Sequence, residues 1–341
     1  MAAAEADGAA GTADAAPAQA ADRPGAVRDA GARARLAARA AAEEASALGH
    51  APVAPDATAS YGDHPDQVID FYRSGTPAGG ARPAPLVVLL HGGAWRAAYD
   101  RAHVSPLAAY LAAAGYAVAS VEYRRGPAPG SPAAGSDSPD SPAGQAGDTA
   151  PAPAGRWPET FDDVAAAMDA VAALAVTALG EEAVDPRRTV LTGHSAGGHL
   201  ALWAAARHVL PTGSPWRLDA PPPLRGVVAL APIADFGTAI RLHVCSDAVS
   251  DLLGAPEHRA DRLPHADPSV LLPTGIATTI VHGSTDNVVP PQVSEAFTRA
   301  AAAAGEEPTV AWLPETGHFP LIDPAAQAVA AVADEIAQLA W

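Results

Sequence analysis

Short apolar runs recur along this chain, with stretches between them long enough to hold a helix each. The runs are 66–73 (DQVIDFYR), 85–90 (PLVVLL), 116–123 (YAVASVEY), 188–192 (RTVLT), 226–231 (GVVALA), 277–282 (ATTIVH) and 309–313 (TVAWL). Most are β-branched and bounded by Gly or Pro, the composition of strands buried on both faces. Helical patterns fill the intervals at 104–114, 159–179, 196–209, 291–304 and 324–340. Strands joined through helical crossovers pair in parallel. The expected fold is therefore α/β, a mostly parallel sheet flanked by helices.

Outside this rhythm the chain divides further. Residues 1–27 carry almost no large side chains and read as a low-complexity tail. Residues 28–55 read as an N-terminal helical segment, with its helix over 28–48 and Gly49 as the stop. A single domain follows over 56–341, interrupted twice. Residues 126–155 contain Pro, Gly, Ser, Ala and Asp with almost nothing to bury, so they read as a flexible insertion. Residues 232–275, an irregular stretch between two strands, hold enough Leu, Ile and Val to fold over something and read as a lid or cap.

Several function classes are disfavoured at once. The net charge of −17 argues against a phosphate-tracking nucleic-acid binder. No apolar run reaches the roughly 18 residues of a membrane span, and the first residues lack the basic start and Leu-like stretch of a secretory signal. A cytoplasmic location with no membrane partner is expected. The single cysteine, Cys245, is expected to be a buried, inert thiol.

The sharpest chemical signal is Gly193-His194-Ser195-Ala196-Gly197, between the run RTVLT and a helical pattern. In a strand–turn–helix the neighbours of Ser195 must be small, and its hydroxyl projects from the carboxyl edge of the sheet. A serine hydroxyl needs a base, and the base needs an orienting acid. Asp286 follows the run ATTIVH, and His318 follows TVAWL, so both fall on that same edge. Glu315 is a rival acid, three residues before the histidine. Gly92 and Gly93, directly after PLVVLL, free backbone amides that can join the amide of Ala196 around a developing oxyanion. Trp95 either lines the acyl pocket, as a substrate-binding residue, or packs in the core. His91, His194, His199 and His282 lie near the edge without metal-ligand spacing, so no metal is expected. Arg124 and Arg125 either anchor a substrate carboxylate or pair with acids.

HGGAW, GHSAGGH, the Asp286 loop and GHF together resemble the α/β-hydrolase family, from about residue 60 to the C-terminus. YGDHPDQVIDFY at 61–72 with HGGAW is similar to the branch holding small carboxylesterases, feruloyl/acetyl-xylan-type esterases and kynurenine formamidases. The resemblance implies an eight-stranded sheet and a Ser195–His318–Asp286 triad. It also implies an oxyanion hole from Gly92, Gly93 and Ala196. The function expected is a cofactor-free serine hydrolase cleaving a small-molecule ester or amide. An arylformamidase and a non-catalytic binding protein of the same fold are the alternatives. The family motif departs at Ala94 and Trp95, where another branch has a third glycine. Oligomeric state is not legible.

Overall fold

The computed structural model describes residues 24–75, 83–126 and 155–341. The low-complexity segment before residue 24 and the insertion over 127–154 lie outside the described residues. The chain divides into two compact units, Met1–Arg39 and Ala40–Trp341. The first contains the start of helix α1 (Pro24–Leu48), which opens on a proline where a missing N–H costs nothing. The helix thus begins four residues earlier than the sequence suggested, and its last turns, from Ala40, belong to the second unit.

The second unit then runs β1 (Ala57–Ser60), β2 (Val68–Tyr72), β3 (Ala84–Leu90), α2 (Ser105–Ala113), β4 (Ala117–Val121), α3 (Glu159–Leu179), β5 (Val184–His194) and α4 (Ala196–Ala205). It continues with β6 (Gly226–Leu230), α5 (Phe236–Arg241), α6 (Ala248–Leu253), α7 (Pro256–Ala266), β7 (Thr278–Gly283), α8 (Gln292–Ala303), β8 (Thr309–Leu313) and α9 (Ala328–Ala340). The strands form one eight-stranded sheet in the order β1-β2-β4-β3-β5-β6-β7-β8. β1 and β2 are antiparallel to their neighbours, and the six strands from β4 to β8 are mutually parallel.

Alternation along the central strands sorts side chains onto two faces. Leu86, Val88 and Leu90 of β3 join Leu191, Val227 and Ala229 against α3 and α4. Val87 and Leu89 point the other way, with Val190, Val228 and Leu230, against α2 and α9. Both faces are covered, which is why these strands read as unbroken apolar runs. Helix α9 buries Val329, Val332, Ile336 and Ala340, a single stripe at helical spacing. Glycines in the left-handed region stop α2 and α3, Gly115 at φ +106° and Gly180 at φ +93°.

Three departures from the sequence reading matter. β1 (ATAS) was not foreseen, because a four-residue edge strand with two exposed positions carries no apolar signal. The 232–275 region is largely helical, forming α5, α6 and α7 rather than irregular chain. The predicted helices at 104–114 and 196–209 are shorter α-helices flanked by 3₁₀ turns at Arg101–Val104 and Arg207–Val209.

The sheet order also places the site. β4 lies on one side of β3 and β5 on the other. The loops leaving the carboxyl ends of β3 and β5 therefore diverge, and ligands of open α/β sheets bind in such a crevice.

Candidate active site

Ser195 occupies the single turn residue between β5 and α4, at φ +57° and ψ −117°. A non-glycine residue there is strained, at a cost of order 1–3 kcal/mol. Its neighbours explain how the turn closes. A Cβ on Gly193 would sit 2.2 Å from the Gly197 carbonyl oxygen, and one on Gly197 would sit 2.0 Å from that of Leu90. The turn is held by the Ser195 amide donating to Leu230 O at 2.8 Å, while Ser195 O accepts from the His199 and Ile233 amides.

The loop after β3 is bent just as sharply. Gly93, Ala94 and Trp95 follow one another at φ +98°, +52° and +54°. A buried network fixes its base. His91 Nε2 lies 2.9 Å from Glu122 Oε1, its Nδ1 lies 2.8 Å from Gly92 O, and its ring stacks on Tyr123 at 4.3 Å. The Tyr123 hydroxyl donates to His91 O at 2.7 Å. Burial would push the Glu122 carboxyl up, but His91, Arg125 and the Arg101 amide outweigh it and hold the group at about 2. The far end of the loop is clasped: the amides of Gly126 and Gly155 both donate to Trp95 O at 2.8 Å. Both are left-handed glycines. A Cβ on Gly126 would press on Ala97 at 2.8 Å, and one on Gly155 on Leu252 at 2.2 Å. Among the described residues the amides of Gly92, Gly93 and Ala196 donate to no protein acceptor.

The other two expected residues come together as well. His318 Nδ1 donates to Asp286 Oδ2 at 2.6 Å, with both side chains buried. Asp286 Oδ1 accepts from the amides of Val288 and Val289 at 2.8 and 2.9 Å. Burial would raise its carboxyl, but the His318 and His282 rings outweigh that and hold it below the usual carboxylate range. A carboxylate can only accept, so Nδ1 of His318 carries the proton and Nε2 presents a lone pair. Ser195 and His318 line one cavity of about 260 Å³ at the carboxyl edge.

The site has members that the motif reading did not assign. His194 donates through Nε2 to His318 O at 3.1 Å, and its ring lies 4.3 Å from the His318 ring. Burial, then the neighbouring His318, push its pKa well below the ordinary histidine value, so the ring stays neutral. His282 Nε2 donates to Val289 O at 2.9 Å and lies 3.4 Å from Asp286 Oδ2, while its Nδ1 accepts from the Ser294 hydroxyl at 2.8 Å. Glu44 and Leu48 of α1, and Cys245 and Ser246 between α5 and α6, also line the cavity. Only adjacency to a triad residue could have flagged His194; for Glu44 no local signal exists.

The Trp95 side chain is 0% exposed, packs edge-on against His199 and Phe236, and lies outside the cavity lining. Its ring belongs to the core cluster against α3 and α4, with left-handed backbone at Ala94 and Trp95. Glu315 is exposed and approaches no triad residue; its amide bonds Ser284. Arg124 grips buried Asp163 and Arg125 pairs with Glu122, so both neutralise acids. His199 donates through Nε2 to Ala266 O at 2.8 Å, and His91 and His282 have the partners given above. Among the described residues no three metal-ligating side chains converge, and no helix is long and apolar enough to cross a membrane.

Comparisons with known proteins agree with this architecture. The sequence profile of the alpha/beta hydrolase family matches residues 87–332. A probable carboxylic ester hydrolase, LipM, of Mycobacterium tuberculosis is 27% identical over 262 residues, covering 74% of this chain and 53% of that protein. Esterase LipC of the same organism is 26% identical over 300 residues, covering 81% and 64%. The chain thus spans between half and two thirds of the length of these curated relatives. Among solved structures, esterase B from Lactobacillus rhamnosis superposes with a TM-score of 0.63 at 18% identity, covering 92% of this chain and 93% of that one. A truncated carbohydrate esterase from gut microbiota gives 0.60 at 20% identity, covering 85% and 99%.

Proposed function

The chain belongs to the alpha/beta hydrolase family, and from that premise we propose that it hydrolyses small carboxylic esters through an acyl-enzyme on Ser195. The observation that carries this is the buried His318–Asp286 pair at 2.6 Å, whose histidine shares one cavity with the strained Ser195 turn. The likeness to two mycobacterial esterases supports it.

In this reading the bare Nε2 of His318 takes the Ser195 proton as Oγ attacks the ester carbonyl. Asp286 fixes the tautomer and stabilises the imidazolium that forms. The negative charge on the tetrahedral oxygen falls to the amides of Gly92, Gly93 and Ala196, which have no competing protein acceptor among the described residues. Collapse breaks the ester C–O bond, and the leaving alkoxide takes the proton from His318. A water deprotonated by the same imidazole then attacks the acyl-enzyme, releasing the acid and regenerating Ser195.

The small size of the cavity supports small substrates. About 260 Å³ is below the usual range for drug-sized ligands. A long acyl chain gains about 0.8 kcal/mol per buried methylene, and this space has no room to collect it. We expect kcat/KM to peak at two to four acyl carbons across acetyl, butyryl, octanoyl and palmitoyl esters of one alcohol. A maximum at octanoyl or beyond overturns the size assignment. A fluorophosphonate probe should label the wild type and not Ser195→Ala; labelling at an unchanged rate in that variant overturns the assignment of the nucleophile. Turnover of N-formylkynurenine above that of any ester would convert the reading to arylformamidase.

A further inference from the structure

The cavity around Ser195 holds several ionisable side chains, and their charges do not cancel. Arg96 is 9% exposed, and its guanidinium donates to Cys245 O at 2.9 Å and Ser246 O at 3.3 Å, with Asp251 Oδ2 at 3.6 Å. Its charge is already used. His103 donates through Nδ1 to Asp100 O at 2.5 Å; burial, then the neighbouring His91, lower its pKa to about 4, so it is neutral near pH 7. His194 is neutral for the reason given above, and burial pushes the Cys245 thiol up to about 11. Glu44 differs from all of these. It is half-buried, it lines the cavity, and among the described residues no cation pairs with it.

Its position can be assigned to one side of the reaction. Glu44 belongs to the last turns of α1, and the carboxylate of the preceding residue, Glu43, lies 2.0 Å from where a Cβ on Gly317 would sit. Ser46 and His50 fasten the same stretch to Asp323 at 2.6 and 2.8 Å. These turns therefore stand against the loop carrying His318. The leaving alkoxide must take its proton from His318, so the alcohol part of an ester departs on that side. Phe319, also in the cavity wall, adds an aromatic ring there, 5.3 Å from the His318 ring.

We propose that Glu44 is a specificity-determining residue that favours esters whose alcohol carries a positive charge, with Phe319 as its aromatic partner. The inference rests on the esterase reading above. A half-buried carboxylate attracts a cation more strongly than a surface one, and an aromatic face adds to it. An anionic alcohol would be repelled by the same group.

The test uses two acetate esters of nearly equal shape, 2-(trimethylammonio)ethyl acetate and its neutral isostere 3,3-dimethylbutyl acetate. The ammonium group also activates the leaving alcohol chemically, so the informative quantity is how the kcat/KM ratio changes between wild type and Glu44→Gln. We expect that ratio to fall by about three- to tenfold. It should also fall with added salt in the wild type and not in the variant. An unchanged ratio overturns the proposal, and leaves the esterase reading intact if Ser195→Ala abolishes turnover of the neutral ester. Calorimetric titration of 2-(trimethylammonio)ethyl acetate into Ser195→Ala and into Ser195→Ala/Glu44→Gln reads the same preference without turnover. Weaker binding to the double variant supports the role of Glu44, and equal binding refutes it.

Discussion

Two of the cavities among the described residues differ in kind, and the larger of the two lacks the strained turns and the histidines of the smaller. A space of about 370 Å³ opens at the amino-terminal end of β7, lined by Leu202, Leu272, Ile276 and Phe297 with Glu306 beside them. The cavity of about 260 Å³ at the carboxyl edge is smaller and differs in kind. Its lining includes Ala94, Ser195, Cys245 and Ser246, all non-glycine residues at positive φ, whereas the larger cavity has none. It also gathers three histidines and an unpaired carboxylate. Volume measures how well side chains fill a corner. Strain and convergent polar groups mark a place where the fold gives up stability for geometry.

The largest effect that would break this contrast is at Ser195. Replacing it by Ala should cost on the order of 10⁴-fold or more in kcat with the melting temperature nearly unchanged. Near-wild-type turnover would move the chemistry out of this cavity. Asp286→Asn should come next, about 10³- to 10⁴-fold in kcat, because an amide donor facing Nδ1 selects the wrong imidazole tautomer. Steady-state kinetics with a short-chain ester decides both.

The larger cavity should answer in the opposite currency. Phe297, 4% exposed, is predicted to cost about 3 kcal/mol of stability on truncation to Ala, read by urea denaturation. Its kcat/KM should stay within about twofold of wild type. A large loss of activity with little destabilisation would make that cavity a working part. Smallest is the effect at the thiol that shares the cavity with Ser195. With the Cys245 pKa pushed up to about 11, the thiolate is scarce at pH 8. Alkylation should run about a hundredfold slower than for a free cysteine, rising roughly tenfold per pH unit up to pH 10. Fast modification at pH 8 would show a wall looser than its burial implies.

The loops carrying Ser195, Asp286 and the Gly92–Gly93 pair are legible because each follows a strand whose own pattern is unambiguous. PLVVLL, RTVLT and ATTIVH are buried on both faces, so the residues after them fall at one edge whatever the helices do. What could not be read depends on directions set in three dimensions. Trp95 follows the glycines in sequence, but left-handed backbone at Ala94 and Trp95 sends its ring into the core. His282 lies four residues before Asp286 with nothing to distinguish it, and becomes a neighbour of the carboxylate only because the loop folds back. Glu44 sits on a helix more than two hundred residues from His318 and meets the site only through tertiary packing. Helices α5 and α6 are not legible because they are six residues each, too short for a helical period to show, and α7 carries Pro264 inside it.

The clasp at Trp95 O has a consequence for engineering. Gly126 and Gly155 bracket residues 127–154, and both amides bond one carbonyl oxygen, so the two positions are no farther apart than twice a hydrogen bond. Whatever is threaded between those points starts and finishes at the same address. Doubling the length of a flexible linker there should cost only about 0.6 kcal/mol of closure entropy. Both glycines must stay, since each holds a conformation and a contact that a Cβ would spoil. Between them is a place to insert a reporter, an affinity handle or a second binding module, anchored at both ends to Trp95 O in the loop after β3.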